Sequence, residues 1–380
     1  MNVLSVSALI DPMTGGGTAE RTVQLARAMT RAGLRVVVLA TDTGLAAASS
    51  APDVGGARLE LLPCANRRFI VPRISGGVLD RMVAETDVVH LCNHWTVLNA
   101  LIQRAAVRAR KPYVVCPAGS LPIFGRSKWL KRAYNALVGR ALVARASAWV
   151  AITTKETVDF RPYGVDPARV DIVPNGIEPS DFEKGDAAHF RARFGLGAGK
   201  LVLFMGRLNL IKGPDLLVEA FAREAGRLVA HTLVYAGPDG GMRAALEQRA
   251  RALAIDDRVR FTGWLGGADK VAAYRSADLV VIPSRHEAMS LVALEAGACA
   301  KPVLMTDQCG FDQAVASGGA VVVPATSEAL GAALNELLLR APLSEMGVRL
   351  RSMVLRDFTW DASVKRYASI FERITTEQTR

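Results

Sequence analysis

The sequence DLVVIPSRHEAMSLVALEAG (residues 278–297) contains a strand, a loop and a helix in that order. The continuous apolar run 279–282 predicts a strand that is buried on both faces of a parallel sheet. Turn-forming residues follow this strand, and residues 291–296 then predict a helix. Because alternating strands and helices are typical of doubly wound parallel sheets, this stretch predicts an α/β fold.

The same alternation extends from this stretch towards both ends of the chain. Further strands are predicted at 3–7, 35–40, 87–91, 112–116, 200–206, 232–237, 259–263, 301–305 and 320–324, with helices between them. Residues 173–179, VPNGIEP, have the composition of a linker. The sequence therefore predicts two consecutive doubly wound domains, residues 1–176 and 177–360. Helical periodicity continues beyond them.

Length and composition exclude several classes of protein. The 380 residues are 50% hydrophobic and 22% charged, which excludes wholesale disorder. The longest apolar runs, such as 36–40, are far shorter than the roughly 18 residues that a membrane span needs. Met1 and Asn2 supply no basic start for a secretory signal, so we expect none. The 5 cysteines form no CxxC pair, and we therefore expect a cytoplasmic protein.

The net charge of +11 is concentrated in the first half of the chain. Residues 1–178 contain 22 Lys and Arg against 13 Asp and Glu, whereas the remainder contains 25 against 23. This imbalance indicates an anionic partner, which the charge alone leaves open as nucleic acid, a phospholipid surface or a phosphorylated substrate. Nucleic acid is not expected, because no binding motif accompanies the charge.

Residues 125–145 carry much of this excess, and no acidic residue lies between Asp87 and Glu156. Helical spacing aligns an apolar stripe with cations beside it. The stripe consists of Trp129, Ala133, Leu137 and Ala141, and the neighbouring cations include Arg126, Lys128, Lys131 and Arg132. This pattern predicts a helix that lies on an anionic membrane. The alternative is a helix whose stripe faces the core and whose basic side is solvated.

Two glutamates of the opening stretch are candidates for ligand binding. Ligands of doubly wound sheets bind outside the carboxyl ends of the strands. Glu287, in the loop after a strand, would face that crevice, and Glu295 lies about two turns into the following helix on a similar face. Spacing alone assigns neither a role, and charges on a helix surface are the alternative.

Two further segments have the chemistry of phosphate binding. In GRLNLIKGP (residues 206–214), Arg207 follows a strand and Lys212 precedes a helix, so the two cations can jointly hold a diphosphate. The glycines 15–17 let the backbone approach an anion closely. The alternatives are solvated loop cations and a simple tight turn.

In this order and at these positions, the segments resemble the family-four glycosyltransferases over nearly the entire chain. The residues that carry the resemblance are Gly206–Leu208 with Lys212–Gly213, the Glu287 to Glu295 spacing, and Val173–Ile177 at the domain junction. The resemblance implies the GT-B architecture of two facing Rossmann-like domains and retention of anomeric configuration. It also implies that the first domain binds acceptor, that the second binds nucleotide-sugar, and that helix 361–380 packs back on the first domain.

The resemblance also implies a role for each matching residue. Arg207, Lys212 and Glu287 would be the catalytic residues, the two cations on the donor diphosphate and Glu287 on the donor sugar. The remaining donor-binding positions would be Glu295 on the ribose, Met289, Ser290 and Leu291 through their backbone, Leu265 beside the nucleobase, and Gly16 and Gly17 over the diphosphate. No metal and no cofactor are implied, and the donor would be a UDP-, GDP- or ADP-sugar.

One segment departs from the family pattern. Many relatives carry histidine or arginine between proline and glycine where this chain has Pro117-Ala118-Gly119. His94 is a candidate for the missing sugar or acceptor contact, and packing beside Trp95 is its alternative role.

We therefore expect a cytoplasmic, metal-independent, retaining glycosyltransferase at the inner face of the plasma membrane. Its acceptor would be a lipid-linked glycan or a surface polysaccharide, such as a lipopolysaccharide. The alternatives are a nucleotide-sugar epimerase of similar architecture and a non-catalytic scaffold, which Ala118 leaves open.

Overall fold

A computed structural model describes residues 1–45, 51–74, 77–123 and 127–379. The chain divides into two compact units. The first consists of Met1–Asn175 with Trp360–Arg380, and the second is Gly176–Thr359. The chain thus passes between the units at two points, each one residue before the boundary that the sequence predicts.

The first unit is built on a parallel sheet in the order β3-β2-β1-β6-β7-β8-β9. Its strands are β1 (Asn2–Val6), β2 (Arg35–Thr41), β3 (Arg58–Leu62), β6 (Val88–Cys92), β7 (Tyr113–Cys116), β8 (Ala148–Ala151) and β9 (Val170–Ile172), and a separate antiparallel pair is β4 (Cys64–Asn66) with β5 (Val71–Pro72). Because β1 pairs with both β2 and β6, the strand order reverses there. Such a reversal is where doubly wound sheets bind ligands.

Helices cover this sheet. They are α1 (Pro12–Gly15), α2 (Gly17–Arg31), α3 (Val78–Ala84), α4 (Val97–Arg108), α5 (Lys128–Tyr134), α6 (Arg140–Ala144) and, from the end of the chain, α15 (Trp360–Thr379). The last of these packs against α2. The core lies between sheet and helices, where Val89, Val115 and Ile102 are fully buried.

A buried arginine fixes the place of this last helix. Arg21 is 3% exposed, and its Nη2 donates to the Tyr367 hydroxyl at 2.8 Å. Its Nε donates to Asn175 Oδ1 at 2.9 Å, and Nη2 also contacts Cys116 Sγ at 3.2 Å. Ser363 Oγ donates to the Pro174 carbonyl at 2.8 Å. One guanidinium therefore joins α2 to both segments at which the chain leaves and re-enters this unit.

The predicted basic helix is α5, a π-helical turn at Asn135–Gly139, and α6. Two residues of its apolar stripe face solvent, since Trp129 is 70% exposed and Leu137 is 80% exposed. Lys128 and Arg132 are also exposed, whereas Lys131 lies 5.5 Å from the centre of the Trp95 ring. A stripe that faces the core is therefore not what the structure shows. Arg126 lies outside the described residues.

The second unit contains a parallel sheet in the order β12-β11-β10-β13-β14-β15. Its strands are β10 (Leu201–Met205), β11 (Thr232–Ala236), β12 (Val259–Gly263), β13 (Leu279–Ile282), β14 (Val303–Thr306) and β15 (Ala320–Val323). Its helices are α7 (Ala187–Arg193), α8 (Pro214–Arg223), α9 (Arg243–Ala252), α10 (Gly267–Ser276), α11 (Leu291–Ala298), α12 (Asp312–Ala316), α13 (Ser327–Arg340) and α14 (Leu343–Asp357). The strand order reverses between β10 and β13, whose apolar residues are buried on both faces.

None of the described helices is both long enough and apolar enough to cross a membrane.

Candidate active site

The two motif loops of the second unit lie side by side at the reversal of strand order. One loop follows β10 and the other follows β13, and these strands are neighbours in the sheet. The backbone N–H of Arg285 donates to the Ile211 carbonyl at 2.7 Å. Gly213 has φ +67°, and a Cβ there would collide with the Pro283 carbonyl oxygen. The loops approach so closely that only glycine fits this position.

Two of the predicted catalytic side chains are paired with each other. Lys212 Nζ donates to Glu287 Oε1 at 2.8 Å, and Ser284 Oγ donates to Glu287 Oε2 at 2.9 Å. The Glu287 side chain is only 11% exposed, so both carboxylate oxygens are held in a largely dehydrated place. Its backbone bridges to the segment after β14, through Gln308 and Gly310. The site thus presents an ammonium and a carboxylate at one point. Arg207 begins the same loop as Lys212, directly after β10 and Gly206.

Glu295 lies on α11 and is also paired. Lys270 Nζ donates to its Oε1 at 2.8 Å, and the Tyr274 hydroxyl donates to its Oε2 at 2.6 Å. Burial and the adjacent carboxylate raise the pKa of Tyr274 well above its ordinary value, so its hydroxyl keeps its proton. The sequence reasoning missed both partners. The sequence feature that could have identified them is their spacing of four residues on α10, which places both side chains on one face of that helix.

The remaining predicted donor contacts in this unit lie at element ends. Ser290 is the N-cap of α11, and its Oγ accepts from the Ala293 amide. Leu291 is the first residue of that helix and Met289 precedes the cap. Amides of a first helical turn have no carbonyl partner within the helix and favour anions. Leu265 follows β12 and is 7% exposed.

The glycine segment belongs to the first unit and follows β1, at the reversal of that sheet. Asp11 accepts hydrogen bonds from the amides of Met13 and Thr14 and so caps the short helix α1. Gly16 separates α1 from α2 with φ +58°, and Gly17 is the first residue of α2. Among the described residues, no atom beyond its two chain neighbours would lie within 4 Å of a Cβ at Gly16, so the positive φ is what favours glycine there.

His94 is enclosed rather than presented to a ligand. It is 0% exposed, and its Nε2 lies 2.9 Å from Asn135 Oδ1. Trp95, Tyr134 and Tyr163 surround the ring with centroids 4.5, 5.5 and 5.2 Å away. Burial lowers the pKa of His94 to about 4, which keeps it neutral. The ring therefore packs beside Trp95, which was its alternative role, and the sugar or acceptor contact of His94 stays a prediction.

The segment that replaces the family's histidine or arginine is held by a buried carboxylate. Glu156 is 3% exposed and accepts hydrogen bonds from the backbone N–H groups of Gly119 and Ile152. Ala118 has φ +49°, a conformation that costs free energy for a residue with a side chain. Burial raises the pKa of Glu156 to about 7. This contact could not be found from the sequence, because it joins residues 37 positions apart.

Comparison with known proteins identifies relatives along most of the chain. The protein-family model "Glycosyl transferase 4-like domain" matches residues 16–176, and the family model "Glycosyl transferases group 1" matches residues 188–349. The chain is 32% identical to D-inositol 3-phosphate glycosyltransferase of Actinosynnema mirum in an alignment 403 positions long, which covers 96% of this chain and 94% of the relative.

Two solved structures share the fold. Sucrose-phosphate synthase from Thermosynechococcus elongatus superposes with a TM-score of 0.78 at 21% identity over 99% of both chains. Anabaena HepE in complex with UDP-glucose superposes with a TM-score of 0.76 at 19% identity over 100% of this chain and 99% of that one.

Proposed function

Because this chain belongs to the family-four glycosyltransferases and has the GT-B fold, we propose that it transfers a sugar from a nucleotide-diphospho-sugar with retention of anomeric configuration. The observation that carries the proposal is the pairing of Lys212 with Glu287 at the strand reversal of the second unit, on the loop that Arg207 begins. A cation and a carboxylate at one point suit a substrate that has a diphosphate and a sugar on adjacent groups. The complex of HepE with UDP-glucose gives further support for a donor of this class.

In the proposed mechanism each of these groups binds a different part of the donor. Arg207 as a fork and Lys212 as a compact charge bind the diphosphate and stabilise the charge that develops when its bond to the anomeric carbon breaks. The Lys212 ammonium has three N–H donors, and a phosphate oxygen can replace the Glu287 carboxylate as the acceptor of one of them. Glu287 is then available to the sugar hydroxyls, and Glu295 to the ribose. Side chains supply the positive charge, so we propose that the reaction needs no metal ion and no cofactor.

Hydrolysis of donor in the absence of acceptor tests this assignment. The protein is incubated separately with UDP-, GDP- and ADP-sugars, and released sugar and nucleotide are measured. We expect slow release of both from one donor class, and loss of release in Lys212→Ala. Conversion of the donor without release of nucleotide would instead indicate an epimerase. If neither reaction occurs with any donor, the result would favour a non-catalytic scaffold.

We propose further that the acceptor is a lipid-linked glycan or a surface polysaccharide at the inner face of the plasma membrane. The support is the solvent-facing stripe on the basic helix, where Trp129 and Leu137 lie beside Lys128 and Arg132. Cations near an anionic surface contribute about 1 kcal/mol each, and an exposed indole adds an apolar anchor. The relative named for D-inositol 3-phosphate makes a soluble phosphorylated acceptor the competing possibility.

Vesicle binding and acceptor choice separate these possibilities. We expect the protein to co-sediment with vesicles containing phosphatidylglycerol and to dissociate as salt rises, because surface charges are screened beyond about 8 Å at physiological ionic strength. Replacement of Lys128, Lys131 and Arg132 by serine should abolish sedimentation. In the matched control variant, serine replaces three exposed arginines of α9, Arg243, Arg249 and Arg251. This variant should co-sediment with the vesicles as the unchanged protein does. Sedimentation with neutral vesicles, or transfer to D-inositol 3-phosphate alone, would contradict the proposal.

A further inference from the structure

Arg285 lies within the most distinctive motif of the chain, and neither the sequence reasoning nor the proposed function gives it a role. Its Nη1 and Nη2 donate to Asp215 Oδ1 and Oδ2 at 2.8 and 2.6 Å. This is the two-pronged geometry that only arginine offers to a carboxylate. The same Nη1 also donates to the Leu210 carbonyl at 2.8 Å.

These contacts lie on both sides of Lys212. Leu210 and Ile211 immediately precede it, and both carbonyls accept from Arg285, the first through the side chain and the second through the backbone N–H. Asp215 follows it by three residues, in the first turn of α8. The Lys212 amide itself donates to Asn209 Oδ1 at 3.0 Å. Arg285 thus holds the segment that carries Lys212 on both sides, at two backbone carbonyls before the residue and at the Asp215 side chain after it.

We propose that Arg285 and Asp215 form a clamp that positions Lys212 for the donor diphosphate, and that Arg285 does not itself bind the donor. This inference rests on the proposed function of Lys212. The Lys212 ammonium ends a flexible stem, so its reach is set by where its backbone lies. Both terminal nitrogens of Arg285 already donate within the protein, to the Asp215 carboxylate and to the Leu210 carbonyl. Arg285 is therefore a positioning residue.

The test uses Asp215→Asn, Arg285→Gln and the double variant, with binding of UDP, GDP and ADP each measured by calorimetry. We expect both single variants to weaken binding of the preferred nucleotide about tenfold and turnover by up to about 10²-fold, since a displacement of 1 Å can cost that much. The double variant should be no worse than either single one, because both remove the same clamp. In a Lys212→Ala background, the clamp variants should have no further effect on binding.

The chain offers a matched control in the same unit. Arg249 on α9 makes a two-pronged contact with Glu219 on α8, with side chains 49% and 33% exposed against 33% and 34% in the clamp. Arg249→Gln and Glu219→Gln should change the midpoint of thermal unfolding as much as the clamp variants do. They should leave nucleotide affinity unchanged.

Three results would overturn the inference. If Arg285→Gln weakens binding but Asp215→Asn does not, Arg285 contacts the donor directly. If the clamp variants lower thermal stability but leave affinity and turnover unchanged, the contact is only structural. If Lys212→Ala itself leaves the affinity for all three nucleotides unchanged, the assignment of this loop fails together with the clamp. The second result, combined with loss of binding in Lys212→Ala, would reject the clamp and leave the proposed function intact.

Discussion

Replacing Glu287 by glutamine should tighten the binding of free nucleoside diphosphate while it slows turnover. The Glu287 carboxylate accepts a hydrogen bond from Lys212 Nζ at 2.8 Å. A diphosphate must displace the Glu287 carboxylate from this ammonium. The negatively charged diphosphate must also come close to that negatively charged carboxylate. Glu287→Gln removes that charge and leaves Lys212 in place, so binding should improve.

The size of the effect follows from the exposure of the pair. The Lys212 side chain is 32% exposed, so the pair is neither a surface bridge nor a fully buried one. We take about 1 kcal/mol, the upper end for exposed pairs, which is about a fivefold decrease in the dissociation constant. Turnover should fall by roughly 10²-fold, the usual loss when a group beside the reacting centre is removed.

The assay is calorimetric titration with the preferred nucleoside diphosphate, together with initial rates of donor hydrolysis. Lys212→Ala should behave in the opposite way in binding, with weaker affinity and turnover lower by roughly 10²-fold or more. Arg207→Ala should resemble it, and the double variant should be less than additive because both cations touch one diphosphate. Unchanged or weaker nucleotide binding in Glu287→Gln would refute the proposed exchange of Lys212 between carboxylate and phosphate.

Three further predictions concern ribose binding, metal dependence and pH. Glu295→Gln should mainly raise the Michaelis constant for the donor in steady-state kinetics, because ribose contacts change little between ground and transition states; a selective loss of turnover would show that the roles of Glu295 and Glu287 are exchanged. EDTA should leave initial rates intact, and a loss that Mg²⁺ or Mn²⁺ restores would contradict the metal-free proposal. Burial raises the pKa of Glu156 from 4.5 to about 7, so the folded state binds its proton more tightly than the unfolded state and this group's contribution to stability declines as pH rises through that window. Glu156→Gln should remove this decline when denaturant unfolding is compared at pH 5 and pH 8, and an unchanged difference between the two pH values would show that Glu156 does not cause it.

Most of the strands that the sequence predicts have continuous apolar runs, although the prediction missed β8, which is also apolar and buried. β10 and β13 lie in the middle of their sheet and are buried on both faces, so their composition alone identifies them. The edge strand Arg58–Leu62 was missed because its sequence, RLELL, includes an arginine and a glutamate that an edge strand can expose. The short helix α1 was not predicted, and its last residue was assigned to the glycine turn 15–17, although Asp11 and Pro12 are a helix start signal.

The candidate site also has parts that the local sequence predicts and parts that it does not. Lys212 and Glu287 each belong to a local motif, and their roles remain predictions that the structure makes testable by placing them in contact. Their supports could not be found from spacing, because Arg285 and Asp215 are 70 residues apart and meet only when β10 and β13 become neighbours. The enclosure of His94, whose sugar contact stays a prediction, could not be found from the sequence for a similar reason. Tyr163, from a distant segment, closes over the ring.

The return of α15 to the first unit sets an order for folding during synthesis. The ribosome releases Trp360–Thr379 only after the whole second unit has emerged, so the second unit can fold while the first still lacks a helix. Until then Arg21 has no Tyr367 to bond, and the face of α2 that α15 covers is exposed to water. A fragment that stops at Asn175 would leave the α2 face open. Separate production of the first unit therefore calls for a gene in which the last helix is joined directly to residues 1–175.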